Sequence, residues 1–240
     1  MKKLILPLLL LSSVCVNAQN SGGGLLKKAS GLLNKAKGGN LSNDDIVAGL
    51  KEALSIGAQN GANKLSSVDG FFANAAIKVL MPPEAQKVEK TLRSAGMGKL
   101  VDDAILSMNR AAEEASKSAA PIFVDAVKTM SFQDALGILK GSDTAATSYL
   151  KGKTTPALTS AFRPVIESAL EKTGATKHWK TVMDAYNKIP LVSKVNPDLS
   201  GYVTDKALTG MFFQVATEEQ KIRKDPAARV TETLKKVFGS

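Results

Sequence analysis

Between Val203 and Ile222 apolar side chains return every three or four residues: Val203, Ala207, Leu208, Met211, Phe212, Val215, Ala216 and Ile222. That period matches the 3.6-residue turn of an α-helix and not the alternation of a strand. The same period recurs from Leu41 onward, where strand signals are nearly absent, so the chain is expected to be all-α. Capping and breaking residues divide it into about nine helices joined by short connections, which predicts a single multi-helix bundle.

The boundaries follow from local chemistry. Ser42 with Asp45 predicts a helix start, running to about Gln59 with Ile46, Gly49, Leu50, Ala53, Leu54 and Gly57 on one face. Pro82 and Pro83 open a second helix, with Val88, Leu92 and Ala95 inward, that ends at Gly96-Met97-Gly98. A third runs from Lys99 to about Ala119, and Pro121 kinks it or starts the next. Its face of Ala104, Met108, Ala111, Ala112, Ala115 and Ala119 lets backbones approach closely, which favours tight packing over a roomy cavity. Ser131 with Asp134 caps a helix that Gly141 stops.

Asp143 is placed to cap the next helix, which Gly152 would end before Pro156 opens another, kinked at Pro164. A helix over 176–188 carries Trp179, Val182, Met183 and Tyr186, followed by a connector containing Pro190 and Pro197. Asp225-Pro226 starts the last helix, packed by Val230, Leu234, Val237 and Phe238.

The first residues read differently. Lys2 and Lys3 precede an almost wholly apolar run from Leu4 to Val16, and Val16-Asn17-Ala18 places small residues where a signal peptidase reads. Residues 1–18 are therefore expected to be a cleaved secretory signal peptide, directing the chain to the periplasm. Ser12-Ser13-Val14 fits lipoprotein processing at Cys15 poorly. Cleavage after Ala18 would discard the only Cys, leaving stability to the core alone.

Residues 19–41 form a Gly/Lys-rich arm. It repeats Gly24-Leu25-Leu26-Lys27-Lys28-Ala29 as Gly31-Leu32-Leu33-Asn34-Lys35-Ala36. Leu25, Ala29, Leu32, Leu33 and Ala36 share one helical face, and Lys27, Lys28, Lys35 and Lys37 take the remainder. Such a segment can lie on an anionic membrane or dock in a groove. Its length is near the minimum of roughly 12–15 residues for an isolated helix, so a tether is an equal reading. Residues 42–240 make the helical domain.

Composition removes several chemistries. The net charge is +10, and +8 without Lys2 and Lys3. Such a balance suits anionic lipid or glycan surfaces, and export argues against nucleic acid as partner. No Gly-x-Ser-x-Gly elbow occurs, and His178 is the single His, in a helix position expected to be partly exposed. One His without a mature Cys does not make a usual zinc site, and no metal or cofactor is expected. Gly152-Lys153-Thr154 copies the end of a phosphate-binding loop, but Thr147 holds the first glycine position and no strand precedes it, so no nucleotide is expected.

Carboxylates remain. Glu167-Ser168 is similar to the Glu-Ser pair of lytic transglycosylases but lacks their glycine-rich continuation. Glu113 is expected to pair with Lys117 on a helix surface at i,i+4 spacing.

One succession is more specific. Asp198-Leu199-Ser200-Gly201-Tyr202-Val203-Thr204-Asp205-Lys206-Ala207-Leu208 leads into Gly210-Met211-Phe212, then Glu218-Glu219 and Ile222-Arg223-Lys224-Asp225-Pro226. With Met108-Asn109-Arg110-Ala111-Ala112-Glu113 and Gly141-Ser142-Asp143-Thr144-Ala145-Ala146-Thr147, this resembles the bacterial exported family known as domain of unknown function 4197. The resemblance spans about residues 42–240 and implies a one-domain, all-helical envelope protein, with no established activity.

Within these motifs Asn109, Arg110, Asp143, Tyr202, Lys206, Glu219 and Arg223 flank apolar faces. A buried Glu219 would require a cation such as Arg110, Lys206 or Arg223. The set is read either as an interhelical network that fixes register or as a cleft holding an anionic ligand through Arg110, Lys206 and Arg223. The expected function is non-catalytic binding of an envelope protein or an anionic envelope surface. The alternative is a carboxylate-dependent enzyme acting on cell-wall or phospholipid substrates.

Overall fold

The chain divides into Met1–Asn40 and Leu41–Ser240. The computed structural model describes residues 42–187, 198–225, 227 and 235, all within the second unit. The arm with Lys27, Lys28, Lys35 and Lys37, the Pro190–Pro197 connector and the helix expected after Pro226 lie outside the described residues, as do the side chains of Asp45, Ile46, Val182, Met183 and Tyr186.

Among the described residues there are eight α-helices and no strand: α1 (Asn43–Ser66), α2 (Gln86–Ser94), α3 (Gly98–Ser116), α4 (Ala119–Lys128), α5 (Phe132–Lys140), α6 (Ala145–Lys172), α7 (Ala175–Tyr186) and α8 (Leu199–Lys224). A single 3-10 turn, Pro83–Ala85, leads into α2. No described helix is long and apolar enough to cross a membrane.

The central element is α6, which packs against α3, α4, α5, α7 and α8. Its buried stripe of Leu150, Thr154, Leu158, Phe162, Ile166 and Leu170 keeps four-residue spacing throughout. The alanine face of α3 joins the same core, with Ala111, Ala112 and Ala115 fully buried beside Val203, Ala207 and Met211 of α8. Phe123 and Phe212 meet edge to face with ring centroids 6.0 Å apart. A second, smaller cluster gathers Leu50, Met130, Ala135, Ile138 and Ala146 around α5.

Several boundaries differ from the sequence reading. Helix α1 continues beyond Gln59 to Ser66, because Ala62 and Leu65 extend its buried face. Ala95 is exposed, just past the end of α2. Pro121 sits in the first turn of α4, after a break at 117–118, so it starts a helix. The capping box of Ser131 and Asp134 forms in both directions.

The largest departure is α6. Gly152 does not end a helix and Pro156 does not begin one; Pro156 and Pro164 both lie inside a continuous 28-residue helix. Each interior proline costs about 3 kcal/mol. Five fully buried large side chains (Leu150, Leu158, Phe162, Ile166, Leu170) each contribute about 1.5–3 kcal/mol, so tertiary burial outweighs the local penalty. The hydroxyls of Thr154 and Thr155 also donate to the carbonyls of Leu150 and Lys151, at 2.7 and 2.6 Å, in the turn that the proline ring crowds. Gly152-Lys153-Thr154 is thus mid-helix, with its backbone committed to the helix ladder and not open as a phosphate cradle.

Candidate functional site

Residues 67–82 run without regular helix between α1 and the 3-10 turn, yet Phe71, Ile77, Val79 and Met81 are buried. A strap of this kind has backbone groups that no helix satisfies, and α3 supplies partners for them. Asn109, fully buried, accepts from the Val79 N–H at 2.8 Å and donates to the Val79 carbonyl at 2.8 Å and the Ile105 carbonyl at 2.7 Å. One turn later Glu113 accepts from the N–H groups of Phe71 and Phe72 at 3.1 and 3.2 Å.

Arg110 bridges Glu113 at 2.6 Å and Asp69 at 2.7 Å, and both carboxylates hold its guanidinium above its ordinary pKa, Glu113 the more strongly. Asp69 itself adopts φ +67°, at the turn where the strap leaves α1. From α8, the Tyr202 hydroxyl donates to the Leu80 carbonyl at 3.0 Å, and burial raises its pKa. Asn109, Arg110 and Tyr202 therefore serve one purpose, the anchoring of the strap.

Glu113 is the residue that sequence reasoning misplaced. Its expected surface pair with Lys117 does not form: Glu113 is 4 % exposed and Lys117 pairs with Glu114. The signal was present in the spacing, since Glu113 follows Asn109 by four residues on the face of Ile105, Met108 and Ala112.

A second network closes the N-terminus of α6. Glu219 of α8 accepts from the backbone N–H groups of Ala146 and Thr147 at 2.9 and 2.8 Å and from the Thr147 hydroxyl at 2.8 Å. Arg223 donates to Glu219 at 2.9 Å and to the Ile138 carbonyl at 2.7 Å. Asp143 does not cap α6: Thr144 holds the N-cap position without a side-chain bond, and Asp143 pairs at 2.7 Å with Lys224, which lowers its pKa. Glu219 is the cap, supplied from another helix.

Arg110 engages Glu113 and Asp69 at the strap, whereas Arg223 engages Glu219 and the Ile138 carbonyl at the start of α6. Lys206 is exposed, its Nζ 5.6 Å from the Tyr202 ring centroid. The space beside Glu219 and Arg223 amounts to about 10 Å³. A single water needs roughly 10–15 Å³, so no ligand larger than water fits there. Among the described residues no three His, Cys, Asp or Glu side chains cluster closely enough to hold a metal ion.

A roomier cavity lies elsewhere, between α2, α3 and α7, with a volume of about 620 Å³. Its floor is Met81, Val101, Met108, Trp179 and Leu199, all buried. Val88 and Leu92 of α2, Ala104 of α3 and Ala175 of α7 form half-buried walls. Met97, Leu100, Asp103, Thr173 and His178 stand exposed at the rim. Ala104 and Met108, expected in tight helix packing, thus border open space; the close approach is confined to Ala111, Ala112, Ala115 and Ala119. Among the described residues, the buried Trp179 Nε1 and Thr176 Oγ1 have no hydrogen-bond partner.

A smaller, polar depression of about 300 Å³ holds Glu84, Arg163, Asp198, Tyr202 and Asp205. Its central carboxylate is engaged: Asp198 accepts from the Gly201 N–H at 2.8 Å as the cap of α8 and from Arg163 at 2.7 Å. The Gly201 N–H and then Arg163 hold its pKa below the ordinary carboxylate value.

No curated protein and no solved structure matches the chain. A family match covers residues 40–239, from just before α1 to the penultimate residue, and so takes in the strap, both polar networks and the groove. The chain belongs to the family described as Protein of unknown function (DUF4197).

Proposed function

We propose that the protein is an exported, non-catalytic helical protein of the cell envelope that acts by binding, with the groove between α2, α3 and α7 as its contact surface. The observation that carries this reading is the contrast between the two kinds of site. Glu113 and Glu219, the buried carboxylates, already accept three or more hydrogen bonds each, whereas the groove offers an unfilled apolar concavity of about 620 Å³. That volume lies in the roughly 300–1,000 Å³ range of small-molecule sites. Export rests on the Lys2-Lys3, Leu4–Val16 and Val16-Asn17-Ala18 pattern, and the arm lysines 27, 28, 35 and 37 would draw the protein to anionic envelope surfaces.

Trp179 is the only Trp in the chain and lies on the groove floor, so it reports occupancy directly. Anilinonaphthalene sulfonate, an apolar fluorescent probe, should bind with energy transfer from Trp179, and Ala104→Phe should abolish that transfer. Probe binding without transfer would overturn the groove as the contact surface. For export, the chain produced with its own N-terminus should be recovered from the periplasm beginning at Gln19; a full-length cytoplasmic product would refute it.

A further inference from the structure

We draw no further inference here: the strongest candidate, the apolar groove between α2, α3 and α7, belongs to the site already described, and nothing among the described residues shows what covers it.

Discussion

The Glu219 carboxylate accepts from both the backbone N–H and the hydroxyl of Thr147, each at 2.8 Å, across 72 residues of sequence. The positive end of α6 is thereby capped by a charge belonging to α8, which ties together the register of two helices that pack extensively on each other. Arg223 balances the charge, and both side chains are nearly removed from water, at 5 and 11 % exposure. Removing one member of such a pair strands the other, at a cost of about 3–5 kcal/mol. Glu219→Ala is expected to lose that much stability in urea unfolding and Glu219→Gln less. Glu219→Ala with Arg223→Ala should lose less than the sum of the single variants, because the stranded cation is gone.

Asn109 gives a sharper test of the strap. Its amide donates to two carbonyls and accepts one N–H, a combination no other side chain of similar shape supplies except in part. Asn109→Asp would press a carboxylate oxygen toward the Val79 and Ile105 carbonyls. At neutral pH the variant is expected to lose several kcal/mol, on the order of the penalty for burying an uncompensated charge after partial relaxation. Burial would raise the folded-state pKa of the new carboxyl above its unfolded value, so the folded state binds the extra proton and the deficit shrinks as pH falls. Urea midpoints of variant and wild type compared between neutral and mildly acidic pH check the sign.

Local chemistry in the sequence was enough to place Ser131 with Asp134, the Pro82-Pro83 start and the long periodic face of α8, because each rests on contacts within a turn or two. It was not enough for α6, where Gly152 and Pro156 are genuine local breakers overridden by the burial of a four-residue stripe against α3 and α8, partners distant in sequence. Glu113 was misread for a related reason: its spacing marks the buried face, but two of its partners are main-chain groups 41 and 42 residues away, and irregular backbone leaves no periodic signature. The groove was illegible altogether. Val88 and Leu92 could be read as inward-facing, but the space they border is bounded jointly by α2, α3 and α7, a property of the assembled bundle.

Asp198 ties stability to pH with a definite sign. Its folded pKa is depressed, first by the Gly201 N–H and then by Arg163. A depressed carboxylate stabilises the fold above its unfolded pKa of about 3.9, and that stability disappears as pH falls through the lower folded value. Asp198→Ala should cost about 1 kcal/mol at neutral pH through loss of the helix cap, and Asp198→Asn only a few tenths, since Asn also caps. Below pH 4 the gap between wild type and Asp198→Asn should narrow. Thermal unfolding from pH 3 to pH 7 measures this; a gap that widens toward acid would contradict the assigned cap.

Two glycines on long helices should respond oppositely to the same substitution. Replacing an interior helical Gly with Ala gains roughly 0.8–1 kcal/mol from helix propensity where nothing obstructs the new methyl. At Gly152 nothing lies within 4 Å of the added Cβ, so Gly152→Ala should stabilise by up to that amount, even one turn before Pro156. At Gly210 the same carbon would meet Phe71 Cε1 at 2.5 Å and Ile77 Cβ at 3.3 Å. Phe71 is fully buried and its backbone is pinned by Glu113, so the ring has little freedom to yield. Overpacking costs about 1–3 kcal/mol, which cancels or exceeds the propensity gain, and Gly210→Ala should destabilise on balance. Because the obstructing groups belong to the strap, Gly210→Ala should also speed hydrogen exchange at the Phe71 and Phe72 amides. Faster exchange without that localisation would mean that α8, and not the strap, absorbs the strain.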